Sequence, residues 1–94
     1  MQSAKNDAGK PRLSLVPFSI IWDIAKVREY GCQVYEDPEN WRSVEVERYW
    51  DALLRHVTQI PRNDLLAKDK ESGLPHLWHA ACNVSFILEL LENG

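Results

Sequence analysis

Apolar positions recur at three- and four-residue intervals in three separate stretches of this chain, the spacing of one face of an α-helix. The first stretch holds Ile20, Ile21, Ile24 and Val27, with Cys32 continuing the stripe. Pro17 suits a first helical turn, where its missing amide hydrogen is not needed, and Gly31 suits a C-terminal cap. A helix is therefore expected from Pro17 to about Tyr30. The second stripe is Val46, Tyr49 or Trp50, Leu53, Val57 and Ile60. Ser43 is placed to cap this helix, Glu45 and Glu47 favour the positive end of its dipole, and Pro61 stops it. The third stretch, Gly73 to Glu92, is apolar almost all the way round, through Leu77, Ala80, Val84, Phe86, Leu88 and Leu91. A helix with so little polar surface is expected to be buried. Ser72 is its candidate N-cap, and Pro75 is tolerated because first-turn amides have no partner inside the helix.

The connections are polar or proline-rich. Residues 1–9 read as a flexible lead. In Lys10-Pro-Arg-Leu-Ser-Leu-Val-Pro17 the two prolines oppose a continuous helix, so Leu13, Leu15 and Val16 are expected to lie extended on the core. Asp37-Pro38 starts a turn within a loop that ends at Trp41, which is expected to fold back onto the core. Arg62 to Lys70 form a polar connector. The fold class is all-α: one three-helix domain over residues 10–94 with an extended N-terminal segment. Three helices with this much apolar and aromatic surface cannot cover it alone, so assembly into a helical-bundle homo-oligomer, a dimer or higher, is expected.

Composition narrows the functions open to such a domain. The chain has 94 residues, 45% hydrophobic and 27% charged, a folded rather than a disordered balance. A net charge of -3 argues against binding long nucleic acids but leaves room for a small anionic ligand at a local basic cluster. Cys32 and Cys82 lack CxxC spacing and fit reduced thiols. No apolar run reaches the roughly 18 residues of a membrane span, and Met1 to Gly9 lacks the apolar core of a secretion signal. A soluble protein of the cytoplasm is the expectation.

The chemistry concentrates between Asp69 and Asn83. On one helix His76, His79 and Asn83 fall at i, i+3 and i+7 and share a face. Three readings stay open. In the first, Glu71, His76 and His79 join His56 of the preceding helix around a metal, although the spacing is i, i+3 rather than the i, i+4 of HExxH. Magnesium or manganese would instead draw on carboxylates, for which Asp51, Asp64, Asp69, Glu71 and Glu89 are available. No ExxE or ExxD pair sits on two facing helices, and Glu89 and Glu92, which have that spacing, lie at the chain end. In the second reading, amides at the Ser72-Gly73 corner hold an anion at a helix N-terminus. Histidines one turn further in donate to it, Lys10, Arg12 and Arg55 supply charge, and Asn83 both donates and accepts, as base or ribose recognition requires. In the third, the three histidines and Asn83 satisfy one another between helices. Nucleophilic catalysis is disfavoured: Cys82 has apolar neighbours, and no serine occupies a GxSxG turn.

Several of these segments together resemble a family found mainly in phages, the N-terminal domain of dATP/dGTP diphosphohydrolases. The resemblance rests on Lys10 to Pro17, Tyr30-Gly31, Tyr35, Asn40-Trp41, Tyr49-Trp-Asp-Ala-Leu-Leu-Arg-His56 and Glu71-Ser-Gly-Leu-Pro-His-Leu-Trp-His-Ala-Ala-Cys-Asn83, then Phe86 and Glu89-Leu90. It covers about residues 10–91. It implies a helical domain that handles purine deoxynucleotides, with hydrolysis of a nucleoside triphosphate to monophosphate and diphosphate and a magnesium or manganese cofactor. Carried onto this chain, Asp51, Asp69, Glu71 and Glu89 would be metal-side carboxylates, with Asp69 and Glu71 catalytic. Lys10, Arg12, Arg55, His56, His76, His79 and Asn83 would be nucleotide contacts. The chain departs from the wider all-α pyrophosphohydrolases in lacking their dense acidic pairs. A phage protein that sequesters a nucleotide or cyclic-nucleotide immune signal without cleaving it is therefore the alternative, acting in the host bacterial cytoplasm.

Overall fold

The computed structural model describes residues 6–94, in which three α-helices and two short 3-10 turns carry all the helical structure. Helix α1 spans Ser19–Val34, α2 spans Val46–Val57 and α3 spans His76–Asn93. The all-α architecture follows the three apolar stripes. No helix among the described residues is long and apolar enough to cross a membrane. Helix α3 is the floor on which α1 and α2 both pack, while α1 has no close backbone approach to α2. A cleft therefore runs between α1 and α2, with α3 beneath it.

Several boundaries differ from those read off the sequence, each for a local reason. Helix α1 passes through Gly31 and ends at Val34, because Gly31 keeps an ordinary helical conformation and the positive-φ glycines are Gly9 and Gly73. Ser43 does not cap α2. It closes the 3-10 turn Asn40–Ser43 by donating from Oγ to the Asn40 carbonyl at 3.0 Å, and Glu45 takes the N-cap position. The helix stops at Val57, short of Ile60, and the Thr58 and Gln59 side chains both donate to the Arg55 carbonyl. Asp51 and Arg55 form no ion pair among the described residues.

Helix α3 begins at His76 rather than at Gly73. Gly73 sits at φ 74, in the left-handed region, and Pro75 takes the N-cap position at φ -54, ψ 137. The preceding loop closes on itself: Asp69 N–H donates to the Leu74 carbonyl at 2.8 Å, and His76 N–H to the Ala67 carbonyl at 2.9 Å. Ser72 belongs to this loop and not to the helix. Trp41 does fold back, stacking on Phe86 of α3 with ring centroids 4.5 Å apart, and the Tyr49 hydroxyl donates to the Trp41 carbonyl at 2.7 Å.

The interior is thin. Among the described residues Val27, Ala80 and Cys82 are the buried hydrophobic ones, and no side chain there is completely enclosed. Leu13 and Leu15 form a 3-10 turn and stand 79% and 69% exposed, so the lead segment does not lie on the core as expected. Helix α3 is likewise not buried all round, since Leu77, Val84, Leu88 and Leu91 face outward. The surface area is 7572 Å². A compact monomer of 10.9 kDa would expose about 5,600 Å². The excess, about 2,000 Å², is on the scale of a stable protein interface.

Candidate functional site

The cleft has two adjoining lobes, of about 450 Å³ and 350 Å³, that meet over Asn83 and Cys82 of α3. Each is of ligand size. Their linings differ in charge: arginines outnumber the single carboxylate, Asp37, in the larger lobe, and no arginine among the described residues lines the smaller. The larger lobe carries Arg28 from α1, Arg48 and Arg55 from α2, and the aromatic rings of Trp41 and Tyr49. The smaller carries His56, Asp69, Glu71 and His79, with Tyr30 on the α1 wall. Tyr35 and Phe86 line both.

Asn83 is the polar group at the junction. It is 9% exposed, and its Nδ2 donates to the His79 carbonyl at 3.0 Å. Its Oδ1 has no hydrogen-bond partner among the described residues, which leaves an acceptor directed at the cleft's shared floor. In the cationic lobe the Arg28 guanidinium lies 5.4 Å from the Phe86 ring centroid and donates to the Pro38 carbonyl, tying α1 to the loop before α2. Arg42 covers the outer face of Trp41 at 4.4 Å and pairs with Glu39 at 2.6 Å.

In the other lobe the three histidines converge. His56 and His76 face each other through their Nδ1 atoms at 2.9 Å, while the rings of His56 and His79 stack at 4.4 Å and 4°. His79 Nε2 is 2.7 Å from the Ser72 hydroxyl. Asp69 Oδ2 accepts the amides of Glu71 at 3.1 Å and Ser72 at 2.8 Å, and Gly73 N–H donates to the Asp69 carbonyl. The amides proposed from sequence to hold an anion are thus occupied by Asp69 itself, which overturns the Ser72-Gly73 anion corner.

Burial explains the electrostatics. Loss of water lowers the His56 and His79 pKa values, aided by the neighbouring imidazoles and opposed by Asp69. For Asp69 the loss of water acts upward, but hydrogen bonding from Ser72 and the nearby His79 and His56 outweigh it, so its pKa is lowered. The Tyr30 phenol is raised, first by loss of water and then by the Glu71 and Asp69 carboxylates. Burial pushes the Cys82 thiol up to about 11, which keeps it protonated and agrees with its exclusion as a nucleophile.

Of the residues singled out from sequence, Arg55, His56, Asp69, Glu71, His79 and Asn83 line the cleft. His76 lies behind it, 5% exposed, and reaches it through His56. Lys10 and Arg12 sit on the exposed lead, and Asp51 and Glu89 line neither lobe. Sequence reasoning missed Arg28, Arg48, Tyr30 and the Trp41-Tyr49 wall. A signal was present: Arg28, Gly31 and Tyr35 repeat the i, i+3, i+7 spacing that marks His76, His79 and Asn83.

The family described as "dATP/dGTP diphosphohydrolase, N-terminal" matches residues 1–94. The chain belongs to this family. A relative named dATP/dGTP diphosphohydrolase, from Salmonella phage PMBT28, is 38% identical over 93 residues, covering 99% of this chain. The chain spans 31% of that relative's length. No solved structure matches the chain.

Proposed function

We propose that this domain binds a purine deoxynucleoside triphosphate in the cleft and takes part in its hydrolysis to monophosphate and diphosphate. The observation that carries this reading is the layout around Asn83, with three arginines and an aromatic wall on one side and carboxylates with imidazoles on the other. The relative's name supplies the purine and the diphosphate. Arg28, Arg48 and Arg55 suit phosphate oxygens, which a guanidinium fork binds in two places at once. The aromatic faces offer a base something to stack on, and Asn83 Oδ1 accepts from an exocyclic amine or a ribose hydroxyl.

The cofactor in this reading is magnesium or manganese at Asp69 and Glu71, the two carboxylates that line the smaller lobe. The donor set fits an ion that keeps waters and shares the substrate's phosphates, since such ions need only one or two carboxylates from the protein. Once bound, the ion would polarise a phosphoryl oxygen and acidify a water. Asp69, held ionised by its hydrogen bonds, positions charge at the lobe, and Glu71 is the base for an attacking water. The stacked His56 and His79 remain neutral near pH 7 and donate to phosphate oxygens without adding charge.

We further read the uncovered apolar surface as the contact between copies of this chain, on the strength of the outward-facing Leu77, Val84, Leu88 and Leu91 of α3, within the host bacterial cytoplasm. Light scattering on the eluted protein tests this; a monomer at all concentrations ends it. A second functional reading, sequestration without cleavage, is favoured by the small number of carboxylates in the cleft. One experiment separates the two. The full chain is incubated with dATP or dGTP, with magnesium, manganese or neither, and scored for thermal shift and for products. Hydrolysis predicts deoxynucleoside monophosphate and diphosphate with metal present. A thermal shift with intact nucleotide selects sequestration, and neither response removes both.

A further inference from the structure

On its inner wall the smaller lobe brings His76, which the nucleotide reading does not use, together with His56 and Asp69. His56 Nδ1 and His76 Nδ1 point at each other, 2.9 Å apart, and Asp69 Oδ1 lies 4.0 Å from His76 Nδ1. One ligand atom from each of the three residues falls within 4.8 Å of the others. Ligands of a tetrahedral ion at about 2.0–2.2 Å stand about 3.4 Å from one another. The observed separations bracket that value, so relative shifts of about 0.5–1.5 Å would close the three around a common centre. Between two neutral imidazoles only one of the facing nitrogens can carry a proton, and an ion can take that proton's place.

The surroundings hold these atoms the way outer partners hold metal ligands. Asp69 Oδ2 is fixed by the Glu71 and Ser72 amides, leaving Oδ1 without a hydrogen-bond partner among the described residues. His79 stacks flat on His56, with its own Nε2 engaged by Ser72. His76 is walled in, while His56 and Asp69 open to the cleft, so a fourth position would face the lobe. Imidazole nitrogen is a poor ligand for magnesium and a good one for zinc and its neighbours in the first transition row.

We propose that His56, His76 and Asp69 form an open, three-ligand site for a zinc-class divalent ion, with its fourth position turned into the cleft. This deepens the nucleotide reading by adding a zinc-class ion beside the magnesium or manganese assigned to Asp69 and Glu71, and it rests on that reading only for what the ion would do there. The test needs no nucleotide. Untagged full chain is titrated with cobalt, read by visible absorption, and with zinc, read by equilibrium dialysis and by the ring-nitrogen resonances of the three histidines. One equivalent of ion per chain is expected, with a tetrahedral cobalt band. The His56 and His76 Nδ1 signals should shift, whereas His79 Nε2 should not. Asp69→Asn and His56→Ala should each weaken binding by at least about tenfold. Asp51→Asn and Glu89→Gln should leave it unchanged, and an excess of magnesium should not displace cobalt. Absence of stoichiometric binding, displacement by magnesium, or binding indifferent to Asp69→Asn overturns the site. Should a variant fail to fold, the wild-type resonances decide alone. Cobalt binding without nucleotide turnover would remove the hydrolase reading only, and turnover with magnesium without cobalt binding would remove this one only.

Discussion

The two faces of α3 use the same helix in opposite ways. Its inner face buries His76 and Asn83, polar residues, beside Ala80 and Cys82, while its outer face leaves Leu77, Val84, Leu88 and Leu91 in water. A stability-driven design would have the reverse, since burying a polar group costs free energy unless it is hydrogen-bonded. The comparison teaches that burial here follows the geometry of a cleft, and that the apolar face awaits cover from outside this chain.

The comparison breaks most sharply at His76. His76→Ala should cost about 2–4 kcal/mol, because it opens a cavity and strips His56 Nδ1 of its partner. Leu88→Ala, at a site 49% exposed, should cost under about 1 kcal/mol in the isolated chain. Urea denaturation measures both. A Leu88 cost that grows with protein concentration would show that the outer face is covered in an assembly. Next comes Asn83→Ala, which should lower nucleotide affinity at least about tenfold, or about 1.4 kcal/mol, in calorimetric titration. Its stability cost should be smaller, about 1 kcal/mol, for the lost bond to His79.

Acid sharpens the inner face further. His56 and His79 have pKa values lowered on folding, so the stability they confer is complete above about pH 6.5 and is lost as pH falls through their folded values. Asp69 is also lowered, and its contribution disappears only in stronger acid, below about pH 4. Asp69→Asn should abolish the acidic step. It should also steepen the upper one, because Asp69 holds both histidine values up. Thermal denaturation from pH 3 to 8 reads both steps. The smallest effect is expected at Leu91→Gln, 68% exposed, within about 0.5 kcal/mol for the monomer but with a shift in elution toward the smaller species.

What the sequence made legible, and what it hid, divides along the same line. The stripes Ile24-Val27, Val46-Leu53 and Ala80-Ile87 are local periodicities, so three helices and their order were readable. The stripes do not state which side has a partner, and the burial expected for Leu77 and Leu91 failed for that reason. Boundaries failed where backbone conformation overrode composition: Gly31 stayed helical, while Gly73 took positive φ and moved the start of α3 to His76. The His76-His79-Asn83 edge was visible because one helix carries it. Arg28 and Arg48 come from walls that meet only across the cleft, and nothing local sets how those walls face.

Those walls have one more consequence. Helices α1 and α2 each rest on α3 but have no close backbone approach to each other, so this bundle has two of the three helix pairings that would close it. A molecule held by Arg28 on one wall and by Arg48 and Arg55 on the other stands where the third pairing is missing. Its arrival would add to the hydrogen bond from Arg28 to Pro38 a second tie between α1 and the α2 side of the cleft. Amide hydrogen exchange along α1, beyond the turn that carries Arg28, is where that closure would be felt.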